Sequence, residues 1–357
     1  MAGSGDHTPV VRPSATAAAE LAAMDRALAL AALGPEHGPN PRVGCVLLDA
    51  EGRVAGEGWH RGAGTPHAEA AAVAAARSAG AGLAGAVAVV TLEPCDHTGR
   101  TGPCTDLLLG AGVSRVVYAV DDPNPAAAGG AARLRTAGVD VLGGVRAEEG
   151  EALLRVWLHA LRTGRPFVTL KLATTLDGRV AAADGSSRWI TSEEAREHAH
   201  AQRARVDALA VGTGTVLADD PALTARERDG SLGAHQPLRV VIGSRDVPAG
   251  ARLRGPGGEL LQARTREPVE VLRTLERRGV RHLLVEGGPT IATAFLRAGL
   301  VDRVHAYVAP ALLGSGRAVI DDLGVTAVAD AVRLATRNVE RLGPDILIVA
   351  EPSKETP

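Results

Sequence analysis

Four residues carry the chemistry that is easiest to name: His67 and Glu69 in "TPHAEAAAVAAARSAG", and Cys95 and Cys104 in "TLEPCDHTGRTGPCT". The chain has three cysteines, and two of them stand nine positions apart among prolines and turn-prone residues. Alone, such a pair fits a disulfide, a metal site or unrelated core residues, and a lone His-Ala-Glu fits a solvated helix face. In order, however, one His and two Cys supply three metal ligands and leave a fourth position open, the arrangement of catalytic zinc at one ion per chain. Water in that position ionises near a pH of about 7. Glu69, beside a ligand but not needed as one, can shuttle protons between that water and a leaving amine. Cys45, inside the apolar run "VGCVLL", reads as a buried core residue.

These side chains need helix starts and strand ends to hold them. Thr65 reads as an N-cap with Pro66 at the first helical position, which places His67 and Glu69 in a first turn, in a helix from about 66 to 78. Pro103 and Cys104 open another helix, where a thiol loses its proton more readily. Around them, short β-branched runs alternate with alanine-rich stretches, the signature of α/β layering. A helix is expected over 17–33, a strand pair over 43–49 and 54–60, and strands over 86–92 and 115–120. A further helix and strand follow, in "AAARLRTAG" and "VDVLGG". Four segments are expected: a disordered lead-in (1–16), a first domain (17–146), a linking helix (147–164) and a second α/β domain (165–352). The second half repeats the alternation with "DALAVGTGTVL", "LRVVIGS", "RHLLVEGG" and "VHAYVAPALLG", and closes on "DILIVA".

Composition narrows the function further. A length of 357 residues exceeds what one core usually serves. A net charge of −2 gives no pull toward nucleic acid or acidic membranes, and seven aromatic residues are too few for a base-stacking surface. No uncharged run is long enough to span a bilayer, and the N-terminus lacks the layout of a signal peptide. Sparse, odd-numbered cysteines fit a reducing cytoplasm. Only two lysines occur, Lys171 and Lys354, so the internal one stands out.

His-x-Glu followed by Pro-Cys is the zinc nucleobase-deaminase signature. The eight residues between Cys95 and Cys104, with "PNPRVG" (39–44) and "DDPNP" (121–125), resemble the riboflavin-biosynthesis deaminase–reductase family. That resemblance implies a cytidine-deaminase-like three-layer α/β/α domain followed by a dihydrofolate-reductase-like α/β domain. It implies His67, Cys95 and Cys104 as zinc ligands, Glu69 as proton shuttle, and Asn40, His97, Arg100 and Thr101 as contacts to a phosphorylated pyrimidine. A nucleic-acid base deaminase is disfavoured by charge, scarce aromatics and the attached second half. A purely structural zinc module would need a fourth ligand, offered at suitable spacing only by His97.

The second half resembles the same family in "LKLATTLDGRVAAADGSSRWITSEEAR" (170–196) and "TVLADDPALTAR" (215–226). Read by itself, "HLLVEGGPTIATAFLRAGL" is a strand, a glycine turn and a helix opened by Pro289, a layout that lets backbone N–H groups approach a pyrophosphate. The resemblance implies NADPH, held by Ala173, Trp189, Thr215, Asp219, Ser244, Gly288, Pro289 and Thr290. It implies substrate contacts from Ser187, Arg203, Leu223, Arg226 and Glu286, the two arginines suited to gripping a sugar phosphate. Lys171 shares a strand with Ala173 and faces either substrate or solvent. Asp177 in "TLDG" reads as a turn former. Where the family often has Asp before the serine, this chain has Gly243. The expected partners are small phosphorylated pyrimidines, with no nucleic acid or membrane, and a homo-oligomer is left open.

Overall fold

A computed structural model describes residues 15–97 and 102–353. The expected disordered lead-in falls largely outside the described residues, as do Arg100, Thr101 and Lys354. The chain divides into two compact units, one comprising residues up to Pro35 with Asn40–Leu161, the other Glu36–Pro39 with Arg162 onward.

The first unit runs α1 (Ala15–Ala31), β1 (Gly44–Leu48), β2 (Val54–Trp59), α2 (Ala68–Ser78), β3 (Val87–Leu92), α3 (Cys104–Gly110), β4 (Arg115–Val120), α4 (Gly130–Thr136), β5 (Asp140–Leu142) and α5 (Ala147–Thr163). Its five strands are ordered β2-β1-β3-β4-β5, with β1 antiparallel to both neighbours and β3, β4 and β5 parallel. The β1 strand is apolar at every position because both faces are covered. Val46 and Leu48 point to α1 and α5, while Cys45 and Leu47 point to α2, α3 and α4. Three layers result. The segment expected to link the halves, α5, buries Leu154, Trp157 and Leu158 against this sheet. The alanine richness has a packing reason: a Cβ on Gly56 or Gly58 would stand 2.4 Å from α2 backbone atoms, so helix and strand touch almost without side chains.

The second unit runs β6 (Phe167–Thr175), β7 (Arg179–Ala181), α6 (Glu193–Arg203), β8 (Ala208–Gly212), α7 (Thr213–Asp219), β9 (Leu238–Ile242), β10 (Leu260–Ala263), α8 (Pro268–Glu276), β11 (His282–Val285), α9 (Pro289–Arg297), β12 (Arg303–Ala309), β13 (Arg317–Ala318), β14 (Leu334–Leu342) and β15 (Asp345–Pro352). Eight strands form one sheet in the order β10-β9-β8-β11-β6-β12-β15-β14, and β7 pairs only with β13. The six strands from β10 to β12 are parallel, and β15 and β14 close the edge antiparallel. Helices α8 and α9 bury Leu272, Leu275 and Phe295 on one face. On the other, α6 sets Ala195 and Ala199 against Tyr307 and Leu347. Three strands escape the sequence reading, β10, β13 and β14. The edge strand β14 is exposed along almost its whole length, so it carries no alternating apolar pattern to detect.

Candidate active sites

The first site forms where β3 ends and two helices begin. Thr65 does not cap α2: its hydroxyl donates to the Gly62 carbonyl at 2.8 Å, and the helix starts two residues later than read, with His67 in extended backbone at the N-cap. The shift matters because an N-cap side chain points out of the helix end rather than along its flank. His67 therefore meets Cys95, in the loop after β3, and Cys104, the first residue of α3. The imidazole Nδ1 lies 3.5 Å from Cys95 Sγ and 3.3 Å from Cys104 Sγ. The three ligand atoms lie within 4.8 Å of one another. Cys45 stays apart, buried in β1.

The donor set fits a divalent metal on its own chemistry. A hydrogen bond from Cys104, reinforced by His67, holds the Cys95 thiol down to about 4, while that same contact and burial push the Cys104 thiol up. Two thiolates this close are incompatible unless a cation sits between them, and a soft N/S-liganded ion such as zinc resolves the conflict. Glu69, in the first turn of α2, is buried, and burial raises its pKa, so it takes up a proton more readily than a surface carboxylate.

Around this cluster the structure adds residues that motif reading passed over. His60, at the end of β2, is buried, and burial lowers its pKa. As the neutral Nδ1–H tautomer it donates to the Pro66 carbonyl (3.0 Å) and accepts from the Asn40 amide (2.9 Å). It thus ties the expected pyrimidine contact to the residue before His67. Glu93, also buried, accepts from the N–H groups of Asp122 (3.2 Å) and Ala131 (2.9 Å), anchoring the loop after β4. Asp96 accepts from Thr105 (2.8 Å) and Arg133 (2.5 Å), and Arg133 also pairs with Asp106, bracing the segments beside both cysteines. His97 is half-buried, and its Nδ1 has no partner among the described residues. A buried histidine closing a strand ("GWH") is the one signal by which His60 was findable.

The second site is a cavity of about 1240 Å³ adjoining another of about 510 Å³, with Lys171, Ala173, Ser187, Thr215, Asp219 and Glu286 lining both. Trp189, Arg203, Leu223 and Arg226 line the larger; Gly288 and Pro289 line the smaller. Ser244 and Thr290 line neither. Ser244 follows β9 and is exposed, and Thr290 donates to Asp321 (3.0 Å) while accepting from Arg317 (3.1 Å).

Charge is concentrated at the centre. Arg203 grips Glu286 with two 2.7 Å hydrogen bonds and reaches the Thr224 carbonyl at 3.2 Å. Its guanidinium is thus engaged within the protein while it lines the larger cavity together with Arg226. Burial alone would push the Glu286 carboxyl up, but Arg203 outweighs it and holds the pKa down at about 2. Lys171 Nζ lies 3.9 Å from Glu286 Oε2 and 5.6 Å from the centre of the Tyr307 ring, and burial lowers its pKa. The solvent-facing alternative for Lys171 is excluded. Tyr307, which pairs with Ala173 across β6 and β12 and meets His198 at 2.8 Å, was absent from the sequence reading. Asp177 is a turn residue as read, accepting from Thr175 and from the N–H groups of Leu313 and Gly314.

The glycine turn after β11 has little room for side chains. A Cβ on Gly287 would stand 2.7 Å from the Ile291 side chain, and one on Gly288 would fill the gap to Thr215 Oγ1, 3.6 Å away. With α9 opening at Pro289, this side-chain-free turn lines the smaller cavity at a helix N-terminus.

A His-Cys-Cys cluster beside a buried glutamate, in one chain with a glycine-cradled cavity at parallel strand ends, defines a zinc-type deaminase joined to a nucleotide-dependent reductase. The profile of the cytidine and deoxycytidylate deaminase zinc-binding region matches residues 18–120, and that of the RibD C-terminal domain matches residues 166–348. The chain is 55% identical over 311 residues to the riboflavin biosynthesis protein RibD of Mycobacterium tuberculosis, covering 87% of this chain and 90% of that protein. It is 44% identical to RibD of Escherichia coli, covering 91% and 97% respectively. The crystal structure of a diaminohydroxyphosphoribosylaminopyrimidine deaminase/5-amino-6-(5-phosphoribosylamino)uracil reductase from Thermotoga maritima superposes with a TM-score of 0.86 at 34% identity, over 94% of this chain and 99% of that one. Acinetobacter baumannii RibD follows at 0.85 and 36%, with the same coverage. The chain belongs to the RibD family, the bifunctional deaminase–reductases of riboflavin biosynthesis. Zinc and NADPH are its cofactors. Among the described residues no helix is long and apolar enough to cross a membrane.

Proposed function

We propose that the first unit hydrolyses the 2-amino group of 2,5-diamino-6-ribosylamino-4(3H)-pyrimidinone 5′-phosphate, and that the second reduces the ribosyl group of 5-amino-6-(5-phosphoribosylamino)uracil to ribityl. The observation that carries the reading is the convergence of His67, Cys95 and Cys104 on one point beside buried Glu69. Those three residues would hold zinc, which supplies Lewis acidity that lets water ionise near neutral pH. Glu69 takes a proton from the attacking water and returns it to the departing amine, and its raised pKa suits both halves of that task. Asn40, its amide orientation set by His60, fixes the pyrimidine edge; His97, with Arg100 and Thr101, contacts the rest of the substrate.

In the second unit NADPH supplies hydride. Lys171 and Glu286 flank the sugar, Arg203 keeps Glu286 ionised, and Arg226 meets the phosphate. Ser187 and Leu223 complete the substrate walls, while Ala173, Trp189, Thr215, Asp219 and the Gly288–Thr290 turn take the cofactor. Three free cysteines fit a reducing compartment, and the proposed location is the cytoplasm. The test is direct. Purified protein given the diaminopyrimidine phosphate should release ammonia without NADPH, and NADPH should be oxidised only once the deaminated uracil is present. Ammonia release that required NADPH would overturn the assignment of separate sites.

A further inference from the structure

The cofactor is NADPH, yet none of the residues assigned above distinguishes it from NADH; the difference is one phosphate on the adenosine ribose. The smaller cavity shares Lys171, Ala173, Thr215 and Glu286 with the larger one, while Gly214, the Gly287–Gly288 turn and Arg317 line it alone. Hydride must be delivered where the two cavities meet, so the adenosine end lies beyond the shared residues, and Gly214 is one of the residues there. In the sheet, β6, β11, β8 and β9 are successive neighbours. At a strand spacing of about 4.8 Å, their C-terminal ends form an edge about 14 Å long, enough for an extended dinucleotide. The segment that closes this edge is Gly243–Asp246, after β9.

Arg245 stands there. A Cβ on Gly214 would lie 3.4 Å from one of its guanidinium nitrogens, so a ligand that passes Gly214 meets Arg245 next. Among the described residues its guanidinium makes no ion pair or hydrogen bond. The adjacent carboxylate, Asp246, is taken by Arg264 at 2.5 Å, and position 243 is glycine, so no acid neutralises Arg245. The backbone is pinned beneath it: Gln262 donates to the Arg245 carbonyl (2.8 Å) and Arg264 to the Ser244 carbonyl (3.2 Å). The exposed Ser244 hydroxyl adds a neighbouring donor.

We propose that Arg245 is the residue that reads the 2′-phosphate of NADPH, with its planar fork of N–H donors matched to phosphate oxygens. The proposal rests on the reductase reading of the second unit. It is tested on the full-length enzyme by measuring NADPH and NADH dissociation constants from nicotinamide fluorescence, for the wild type, Arg245→Gln and Arg264→Gln. Arg245→Gln should weaken NADPH by about 10- to 100-fold, the scale of one or two charge-assisted hydrogen bonds, with NADH changed by less than about twofold. Ammonia release by the first unit should be unaffected. Equal weakening of both cofactors, no weakening of either, or discrimination lost through Arg264→Gln instead would overturn the proposal. A wild type that binds NADPH and NADH equally overturns it while leaving the reductase reading intact. A wild type that binds neither overturns both.

Discussion

At the zinc-ligand cluster, the side chains that matter come from two helix starts and one loop within residues 67–104, and each helix start is marked by a proline. The reductase cavity draws Lys171 from β6, Arg203 from the end of α6, Leu223 from a loop and Glu286 from beyond β11. The first site is thus locally encoded, its geometry set by where helices begin and its remaining conflict, two neighbouring thiols, resolved by a metal. The second is a product of strand order, and its conflict, a buried carboxylate, is resolved by protein groups alone. Sites of the first kind lose function when a ligand is removed; sites of the second kind lose stability as well.

The sharpest break between the two should come from Cys104→Ser. Elemental analysis should find the zinc gone and ammonia release undetectable, while NADPH oxidation with the deaminated uracil continues. Loss of both activities in a folded variant would mean the sites are not independently built. Glu69→Gln is the finer probe of the same centre. The amide keeps the shape but cannot carry the proton, so deamination should drop by about 10²- to 10⁴-fold with zinc content unchanged. Zinc loss would instead make Glu69 a ligand.

For the reductase cavity, Arg203→Met should leave Glu286 buried without its partner. Breaking such a pair costs about 3–5 kcal/mol, read as a lower denaturation midpoint for the second unit. Adding Glu286→Gln should recover much of that loss without restoring reduction. Full stability in the single variant would show that Glu286 finds water or Lys171 instead. The smallest expected effect is a pH dependence. Burial, with Arg303 and His305 nearby, lowers the His282 pKa to about 3, well below the ordinary value of 6.5. The unfolded chain therefore binds a proton below that ordinary value that the folded chain refuses. The associated stability is complete above it and is lost progressively as the pH falls toward about 3. His282→Gln should make the fall in urea midpoint between about pH 6 and 4 shallower by up to one proton's worth. An unchanged slope would place the acid sensitivity in other groups.

How much of this was readable before folding follows from the range of the interactions involved. His67, Glu69, Cys95 and Cys104 were legible because helix starts, ligand chemistry and spacing act over a few residues. The one error there, Thr65 as cap, arose because Thr65 turns back to Gly62, a local hydrogen bond that competes with capping. The expectations for the reductase residues came only through resemblance, since nothing in a lysine on a strand says that Glu286 will lie beside it.

The sequence by itself determined the metal donor set, the two-part α/β organisation and the glycine turn that opens α9, because side-chain chemistry, hydrophobic alternation and absent Cβ atoms are properties of the residues themselves. Only the tertiary structure decided that Arg203 is bonded to Glu286, that His60 holds Asn40, that Tyr307 lies near Lys171, and that Arg245, among the described residues, stands beyond a strand end without an ion-pair partner. Each of these depends on strand order and register, which place residues scores of positions apart within a few ångströms. Burial then changes what their charges are worth.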